Sequence, residues 1–135
     1  MDKESTPRHI ELKDLEVYQL ARQLSTTAWK IYLKLKWQDK KTMGDQFISS
    51  VDSVGANIAE GYGRYHYLDR IKFYYYARGS FMESRSHWLE ILYEREKVNK
   101  EEFEAYCRIS NILSLKLNNL ISSVYQAKNK ALNTN

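Results

Sequence analysis

Apolar residues recur at steps of three and four in four segments of this chain, with polar residues between them. Such spacing is typical of amphipathic α-helices, in which one stripe of side chains faces a core. The four stripes run from Val17 to Leu35, from Phe47 to Ile58, from Tyr67 to Ile91 and from Phe103 to Val124. The one proline, Pro7, precedes all four stripes, so no strong helix breaker interrupts them. The pattern predicts an all-α protein.

Short polar breaks separate consecutive stripes, at residues 36–45, 61–66 and 97–102. Links this short force neighbouring helices to run antiparallel, so we predict an up-down-up-down four-helix bundle over residues 12–126. In the first break, Gly44 is expected to terminate a helix. In the third break, Asn99 and Glu102 have the three-residue spacing of a capping box at a helix N-terminus.

The two ends of the chain lack the apolar pattern. Residues 1–11 are predicted to be a flexible N-terminal segment and residues 127–135 a polar C-terminal tail. The opening residues are too polar for a signal peptide, and no apolar run reaches membrane length. We therefore expect a soluble cytoplasmic protein that makes no membrane contact.

Residue types that bind cofactors are sparse and scattered. The single cysteine, Cys107, cannot form an internal disulfide, and the three histidines show no metal-ligand spacing. Residues 53–64 hold three of the five glycines, but they have neither the spacing of a phosphate loop nor a strand before them. We expect no cofactor and no metal.

The glycines of this stretch suit a turn between the second and third helices. Either Gly61 or Gly63 can take a positive φ and end the helix. Gly55 lies in a helix interior, where glycine costs about 1 kcal/mol relative to alanine, so we expect a facing helix to approach it closely. Gly79 and Ser80 form a second small-residue position that could face Gly55 across this helix pair.

Asn57 and Glu60 lie three residues apart near the end of the predicted second helix and therefore share a face. The helix dipole disfavours an anion there, so Glu60 needs a donor, for which Arg64, Arg70 and the Ser80 hydroxyl are candidates. We interpret the pair as a buried polar clamp that fixes the turn. The alternative is a general base or a metal-binding carboxylate, which no second acid at i+3 or i+4 supports.

The third segment is apolar over more than one helix face, since its run FYYYARGSF carries aromatic residues in nearly every direction. A four-helix core uses one stripe per helix, so a second stripe is exposed or buried against another subunit. Tyrosine suits interfaces because its ring is buried while its hydroxyl stays wet. We predict a homo-oligomer whose interface includes Tyr74, Tyr75, Tyr76 and Met82.

Positive charge is concentrated in two zones, although the net charge is only +4. The predicted nucleic-acid contacts in these zones are Lys34, Lys36, Lys40, Lys41, Arg64, Arg70 and Arg78. Cationic side chains attract the phosphate backbone, and Tyr62 and Tyr65 beside Arg64 are placed to stack on unpaired bases. The alternative is that these charges only keep the surface soluble.

Three stretches of the chain resemble the 23S rRNA intervening-sequence protein family of small bacterial proteins: residues 12–21, 46–64 and 76–84. The runs NIAEG at 57–61 and ARGSFME at 77–83 are specific together, and the resemblance extends over roughly residues 10–125. It implies a four-helix bundle that assembles as a homopentamer and has no established enzymatic activity. The family is similar in fold to the basic accessory proteins of diversity-generating retroelements, so RNA or another nucleic acid is an expected partner.

Three functions follow as hypotheses from these observations. The first is a non-catalytic oligomer that binds RNA or another nucleic acid through its basic zones. The second is a scaffold whose partner is another protein. The third is an enzyme that uses Glu60, which we disfavour because no histidine or cysteine has a nucleophile and an acid partner.

Overall fold

The computed structural model describes residues 10–133, and every regular element among them is helical. A short 3₁₀ turn, Leu12–Asp14, precedes four long helices. They are α1 (Glu16–Lys34), α2 (residues 37–62), α3 (residues 67–94) and α4 (Lys100–Asn133). The structure therefore confirms the prediction of an all-α protein with four helices.

The described parts of the two predicted end segments differ, since one contacts the bundle and the other extends a helix beyond it. Residues 1–9 of the N-terminal segment lie outside the described residues, as do the last two of the tail. Ile10 contacts the bundle, because its carbonyl oxygen accepts a hydrogen bond from the Tyr62 hydroxyl. At the other end, α4 continues through residues 127–133, which the sequence assigned to the tail. The last buried side chain of α4 is Val124, so this final part extends past the core.

Side-chain pairs between helices show that neighbouring helices are antiparallel. Glu16 pairs with Lys116 at 3.2 Å and Lys34 with Glu102 at 2.8 Å, so residue numbers rise along α1 as they fall along α4. The same inverse order holds between α3 and α4 for the hydrogen-bonded pairs Ser84–Tyr106 and Arg78–Asn118. With short links joining α1 to α2 and α2 to α3, the helices alternate up and down.

Helices α2 and α3 each contain one π-helical turn. In α2 the π turn is Lys40–Gly44, between Trp37–Asp39 and Asp45–Tyr62. In α3 it is Glu83–Trp88, between Tyr67–Met82 and Leu89–Glu94. The backbone stays helical through both joins, with φ −60° and ψ −43° at Lys40 and φ −60° and ψ −46° at Glu83. A π turn holds more residues than an α turn, so it rotates the side chains that follow it.

This rotation changes which residues of α3 enter the core. Leu89 and Leu92 are fully buried, whereas Ile91, which the periodicity predicts for the core, is only half-buried. Before the π turn the predicted stripe is correct, since Tyr74 and Ala77 are fully buried. A constant period of 3.6 residues therefore fails only where the helix itself departs from that period.

Gly44 does not terminate a helix, contrary to the prediction. It is buried inside α2, with a helical φ of −62° and ψ of −43°. A β-carbon at this position would lie 2.9 Å from Leu35 Cδ1 and 3.1 Å from the Tyr32 ring. The glycine is explained by the close approach of α1, and the break between the two helices shortens to residues 35–36.

The predicted positive φ in the turn between α2 and α3 is also wrong. No glycine among the described residues has a positive φ, and Gly63 has φ −81°. The Gly63 and Arg64 amides instead donate to the carbonyl oxygens of Ala59 and Gly61. Gly61 is buried within the last turn of α2, where its lack of a side chain accommodates α3.

Gly55 and Gly79 do not face each other across α2 and α3. A β-carbon on Gly55 would lie 3.6 Å from Ala21 Cβ, so the helix that approaches it is α1. A β-carbon on Gly79 would meet nothing within 4 Å, because Gly79 lies on the outer surface of α3 beside half-buried Ser80. The predicted contact between two small-residue positions is therefore absent from the described part of the bundle.

The turn between α3 and α4 is built from Glu96 and a capping box. Glu96 takes a positive φ of 59°, and the next amide, Lys97, donates to the Leu92 carbonyl oxygen at 2.8 Å. The Asn99 amide donates to Glu102 Oε1 at 3.0 Å, and the Glu102 amide donates to Asn99 Oδ1 at 2.8 Å. The capping box predicted from the sequence is confirmed.

Candidate functional site

Apart from Arg78, the basic residues predicted to contact nucleic acid lie near opposite ends of α2. Lysines lie at its start, and Arg64 and Arg70 follow its C-terminal end. At a rise of about 1.5 Å per residue, the two groups are about 40 Å apart along the helix. We call the first group the tryptophan–lysine end, and its members are Trp29, Tyr32, Lys36, Trp37, Lys40 and Lys41.

At the tryptophan–lysine end, aromatic rings lie against lysine ammonium groups. Trp29 stacks on Tyr32 with ring centroids 5.2 Å apart, and Lys40 Nζ lies 5.0 Å from the Tyr32 centroid. Lys41 Nζ lies 5.9 Å from the centroid of Trp37, which is 72% exposed. An exposed ring beside a cation offers an unpaired nucleotide both a stacking surface and a positive charge.

Ion pairs neutralise part of the charge at this end. Lys34 Nζ lies 2.8 Å from Glu102 Oε2, and Lys41 Nζ lies 3.6 Å from Asp45 Oδ2. The Tyr32 hydroxyl donates to Asp45 Oδ1 at 2.7 Å, and this hydrogen bond raises the pKa of the Tyr32 phenol. Lys34 therefore bridges α1 and α4, and this ion pair competes with the phosphate contact that the sequence predicted.

At the other end of α2, the turn into α3 forms an open groove of about 680 Å³. We call it the tyrosine–arginine groove, and it is lined by Leu12, Tyr62, Gly63, Arg64, Tyr65, His66, Tyr67 and Arg70. Among the described residues, no acidic side chain belongs to this lining. The groove therefore combines aromatic surface with positive charge.

Tyr62 and Tyr65 have different environments in this groove. Tyr62 is half-buried, and its hydroxyl is bonded to the Ile10 carbonyl oxygen, so it forms a fixed wall. Tyr65 is 89% exposed, and its ring meets His66 edge-on with centroids 5.2 Å apart. Of the two residues predicted to stack on bases, only Tyr65 presents its ring to solvent.

The proposed buried clamp of Asn57 and Glu60 is wrong. The Glu60 side chain is 51% exposed and pairs with Arg64 at 2.7 Å, one turn further along the chain. Asn57 donates to the Ser53 carbonyl oxygen within its own helix, at 2.9 Å. Neither side chain joins two helices. Arg64 was one of the expected partners of Glu60, and its guanidinium also lies 4.7 Å from the Phe73 ring centroid.

Arg70 is the one groove residue with a buried polar atom that lacks a partner. Its Nε is buried and makes no hydrogen bond within the described residues, and the same holds for the hydroxyl of Tyr74, one turn later. Burial raises the pKa of the Tyr74 phenol, while the neighbouring Arg70 guanidinium opposes that shift. A buried donor without a well-formed hydrogen bond costs roughly 1–3 kcal/mol, and the neighbouring Tyr74 hydroxyl offsets only part of this.

The residues predicted to form an oligomer interface divide into two groups. Tyr74 is fully buried in the core of its own subunit, where its ring packs on Gly61, so it cannot belong to an interface. Tyr75, Tyr76 and Met82 are 38%, 52% and 56% exposed on the outside of α3. Sequence periodicity also placed Tyr74 in the core stripe. Its complete burial shows that the core assignment is correct and the interface assignment is wrong.

Arg78 lies within this exposed surface and not in either basic end. Its guanidinium lies 4.7 Å from the Tyr75 ring centroid, and its Nη1 donates to Asn118 Oδ1 at 3.0 Å. Arg78 therefore links α3 to α4 and lies beside Tyr75 on the exposed surface of α3. The predicted basic zone from Arg64 to Arg85 is therefore split between the end of α2 and the exposed surface of α3.

Candidate catalytic and metal-binding groups are dispersed. Among residues 10–133, no three histidine, cysteine, aspartate or glutamate side chains come close enough to hold a metal ion. Burial raises the pKa of the Cys107 thiol, which disfavours the reactive thiolate. Within the same residues, no helix combines the length and apolar character that crossing a membrane requires.

Comparison with known proteins agrees with the fold. A profile described as 23S rRNA-intervening sequence protein matches residues 13–119. The chain belongs to this family. A solved structure of an S23 ribosomal protein family member from Bacteroides thetaiotaomicron, a protein with unknown function, has a TM-score of 0.74 and 26% identity. The match covers 82% of this chain and 98% of that one. Among curated proteins, no sequence matches this chain.

In this intervening-sequence family member, the sequence anticipated only part of the groove. Leu12, His66 and Tyr67 line it but were not predicted to belong to a site. His66 and Tyr67 directly follow the predicted stacking residue Tyr65, so proximity along the chain was an available signal. Leu12 is distant in sequence, and only the packing of the 3₁₀ turn against α2 brings it there.

Proposed function

We propose that this intervening-sequence family member is a non-catalytic homo-oligomer that binds unpaired regions of RNA. The observation that carries the proposal is the combination of exposed aromatic rings with cations at both ends of α2. Trp37 is 72% exposed beside Lys41, and Tyr65 is 89% exposed beside Arg64. Stacking on aromatic rings requires bases that are not already stacked in a duplex, which favours single-stranded or looped RNA.

The cations available for phosphate contacts are fewer than the sequence suggests. Arg64 is paired with Glu60, and Lys41 lies near Asp45. Lys36 and Lys40 make no ion pair with any described residue, so both keep a full charge for a phosphate. In an oligomer every subunit carries the same basic patch. The attraction of the whole assembly for RNA therefore exceeds that of a single chain.

Support for self-association comes from the outside of α3. Tyr75, Tyr76 and Met82 expose large apolar surfaces there, and Tyr125 of α4 lies beside Tyr75, which raises the pKa of the Tyr125 phenol. Apolar surface of this kind is stabilised when a second subunit covers it. We propose five copies, the number that the family resemblance implies.

The non-catalytic part of the proposal is supported by the surroundings of Glu60. This carboxylate is the candidate general base of the sequence, yet it is exposed and held by Arg64 at 2.7 Å. A general base must reach a proton of the substrate, and this carboxylate is already engaged by the Arg64 guanidinium.

The test is a salt titration of binding to a labelled single-stranded oligouridylate, followed by fluorescence anisotropy. With about four phosphate contacts, affinity should fall roughly 50-fold between about 50 and 200 mM salt. A Lys36→Glu/Lys40→Glu double variant should bind more weakly and with a smaller salt slope. A charge-matched control, Arg22→Glu/Arg108→Glu, changes two exposed arginines outside both ends of α2 and should bind much like the parent protein.

The second candidate function is a protein-interaction scaffold, and the exposed apolar surface of α3 favours it. If the parent protein shows no salt-dependent binding to the oligouridylate, the RNA proposal fails. The exposed apolar surface of α3 would then be the main structural argument for a protein partner.

A further inference from the structure

The tyrosine–arginine groove has three recognition elements on one side of the α2–α3 turn. The first is Arg70, which lines the groove while its Nε is buried without a hydrogen-bond acceptor. The guanidinium group is a rigid fork of donors that matches the geometry of phosphate oxygens. Because Nε is covered by protein, an anion in the groove would contact the terminal nitrogens of the Arg70 guanidinium.

The second element is the start of α3. His66 is the residue before the first turn of this helix, and its side chain makes no capping hydrogen bond. The amides of the first turn have no acceptor within the helix, and the helix dipole makes this end positive. His66 and Tyr67 both line the groove, so these amides lie at its edge.

The third element is the ring of Tyr65. This ring is 89% exposed, and His66 touches only one edge of it, so most of its surface is open to a ligand. The neighbouring wall is rigid, because Tyr62 is bonded to the Ile10 carbonyl oxygen and Gly61 is packed under Tyr74. A flat ring beside a fixed wall suits a planar ligand.

We infer that this groove binds one unpaired nucleotide of an RNA strand, with its base on Tyr65 and its phosphate at Arg70 and the first amides of α3. This inference rests on the proposed function and assigns it a specific site. No acidic side chain belongs to the described lining, and the nearby Glu60 carboxylate is paired with Arg64, which limits its repulsion of a phosphate. A neutral nucleoside lacks the group that Arg70 needs, and a base-paired nucleotide cannot offer its face to Tyr65.

The experiment measures oligouridylate affinity and its salt slope for the full chain and its variants. Tyr65→Ala should weaken binding roughly 5- to 100-fold, the effect of removing one aromatic stacking platform, and should leave the salt slope unchanged. Tyr65→Phe should bind like the parent protein. Arg70→Gln should lower the slope of log affinity against log salt by about 0.7, which corresponds to one phosphate contact on a single strand. A loss of stability alone would not change this slope.

Two further variants keep the test decisive. Arg70→Lys retains the charge but loses the guanidinium fork of donors, so it should keep the slope and lose part of the affinity even if Arg70→Gln folds poorly. Leu115→Ala removes an exposed apolar side chain of α4 that lies outside the groove and outside the proposed interface, and it should bind like the parent.

The outcomes separate this inference from the proposed function. If the parent binds RNA and the Lys36→Glu/Lys40→Glu variant weakens binding, but Tyr65→Ala and Arg70→Lys bind like the parent, the nucleotide site is wrong and RNA binding stands. If the parent does not bind RNA at all, both proposals are overturned. A duplex hairpin that binds as tightly as the single strand would also overturn the nucleotide site.

Discussion

The buried ring of Tyr74 lies so close to Gly61 that a β-carbon on residue 61 would come within 2.7 Å of Tyr74 Cε1. The same β-carbon would lie 3.1 Å from the Arg70 carbonyl oxygen, which is backbone and cannot rotate away. This contact fixes how closely α3 approaches α2 at their turn. It therefore also fixes the wall of the tyrosine–arginine groove.

Gly61→Ala is expected to destabilise the protein by roughly 1–3 kcal/mol, because an overpacked core must shift a ring and a helix backbone. Gly55→Ala is the control, since its β-carbon would lie 3.6 Å from Ala21 Cβ, an ordinary contact. That control should be neutral or more stable than the parent, as alanine favours a helix interior by about 1 kcal/mol. Urea unfolding measures both, and equal stability of the two variants would contradict the packing argument.

The buried pair Ser84 and Tyr106 predicts an asymmetric mutational effect. The Tyr106 hydroxyl donates to Ser84 Oγ at 3.0 Å, and Ser84 Oγ donates to the Phe81 carbonyl oxygen at 2.9 Å. Ser84→Ala leaves the Tyr106 hydroxyl buried without an acceptor, so it should cost roughly 1–3 kcal/mol. Tyr106→Phe removes only one hydrogen bond and should cost less, about 0.5–1.5 kcal/mol. The reverse order in thermal unfolding would show that another group satisfies the tyrosine.

Glu102 makes stability depend on pH at the start of α4. Burial alone would raise the pKa of this carboxyl, but hydrogen bonds from Lys34 and from the Asn99 amide outweigh burial and lower it. A lowered folded-state pKa adds stability that is present above about pH 4.5 and is lost as the pH falls through the folded value. Glu102→Gln should therefore lose roughly 0.5–1 kcal/mol at pH 7 and much less at pH 3.

Asn99→Ala provides the control for that pH dependence. It removes the side-chain half of the capping box and should cost roughly 0.5–2 kcal/mol at both pH values, because the Asn99 amide still donates to Glu102. Chemical unfolding at the two pH values compares the variants. An equal loss for Glu102→Gln at both would show that its charge does not contribute.

Assembly is expected to depend on the outside of α3. The parent protein should scatter light with a mass five times that of the 16.0 kDa chain, and Tyr75→Glu should shift that mass downward. Burying a carboxylate at a subunit interface is costly even beside the Arg78 guanidinium, whereas the carboxylate is solvated on a monomer. Gln46→Glu adds the same charge on the exposed side of α2 and should leave the mass unchanged. A parent mass near 16.0 kDa would contradict the oligomer proposal directly.

Several site residues could not be assigned from the sequence because their role depends on a distant partner. Lys34 reads as a surface cation until Glu102, 68 positions away, is seen to bind it. For Glu60 the sequence named the partner Arg64 correctly, but only the packing of the helices shows that this pair is exposed and not a buried clamp. Periodicity cannot separate Tyr74 from Tyr75 as core or interface once both positions are apolar.

The sequence by itself determined the four helices and the capping box of Asn99 and Glu102. Both depend on neighbours within one or two turns, so residue spacing carries the information. The tertiary structure alone decided the π turn that buries Leu92, the fit of Gly61 to Tyr74 and the gathering of Leu12 into the groove. These features follow from how closely one helix approaches another, which is set by the packing of the whole core and not by any local pattern.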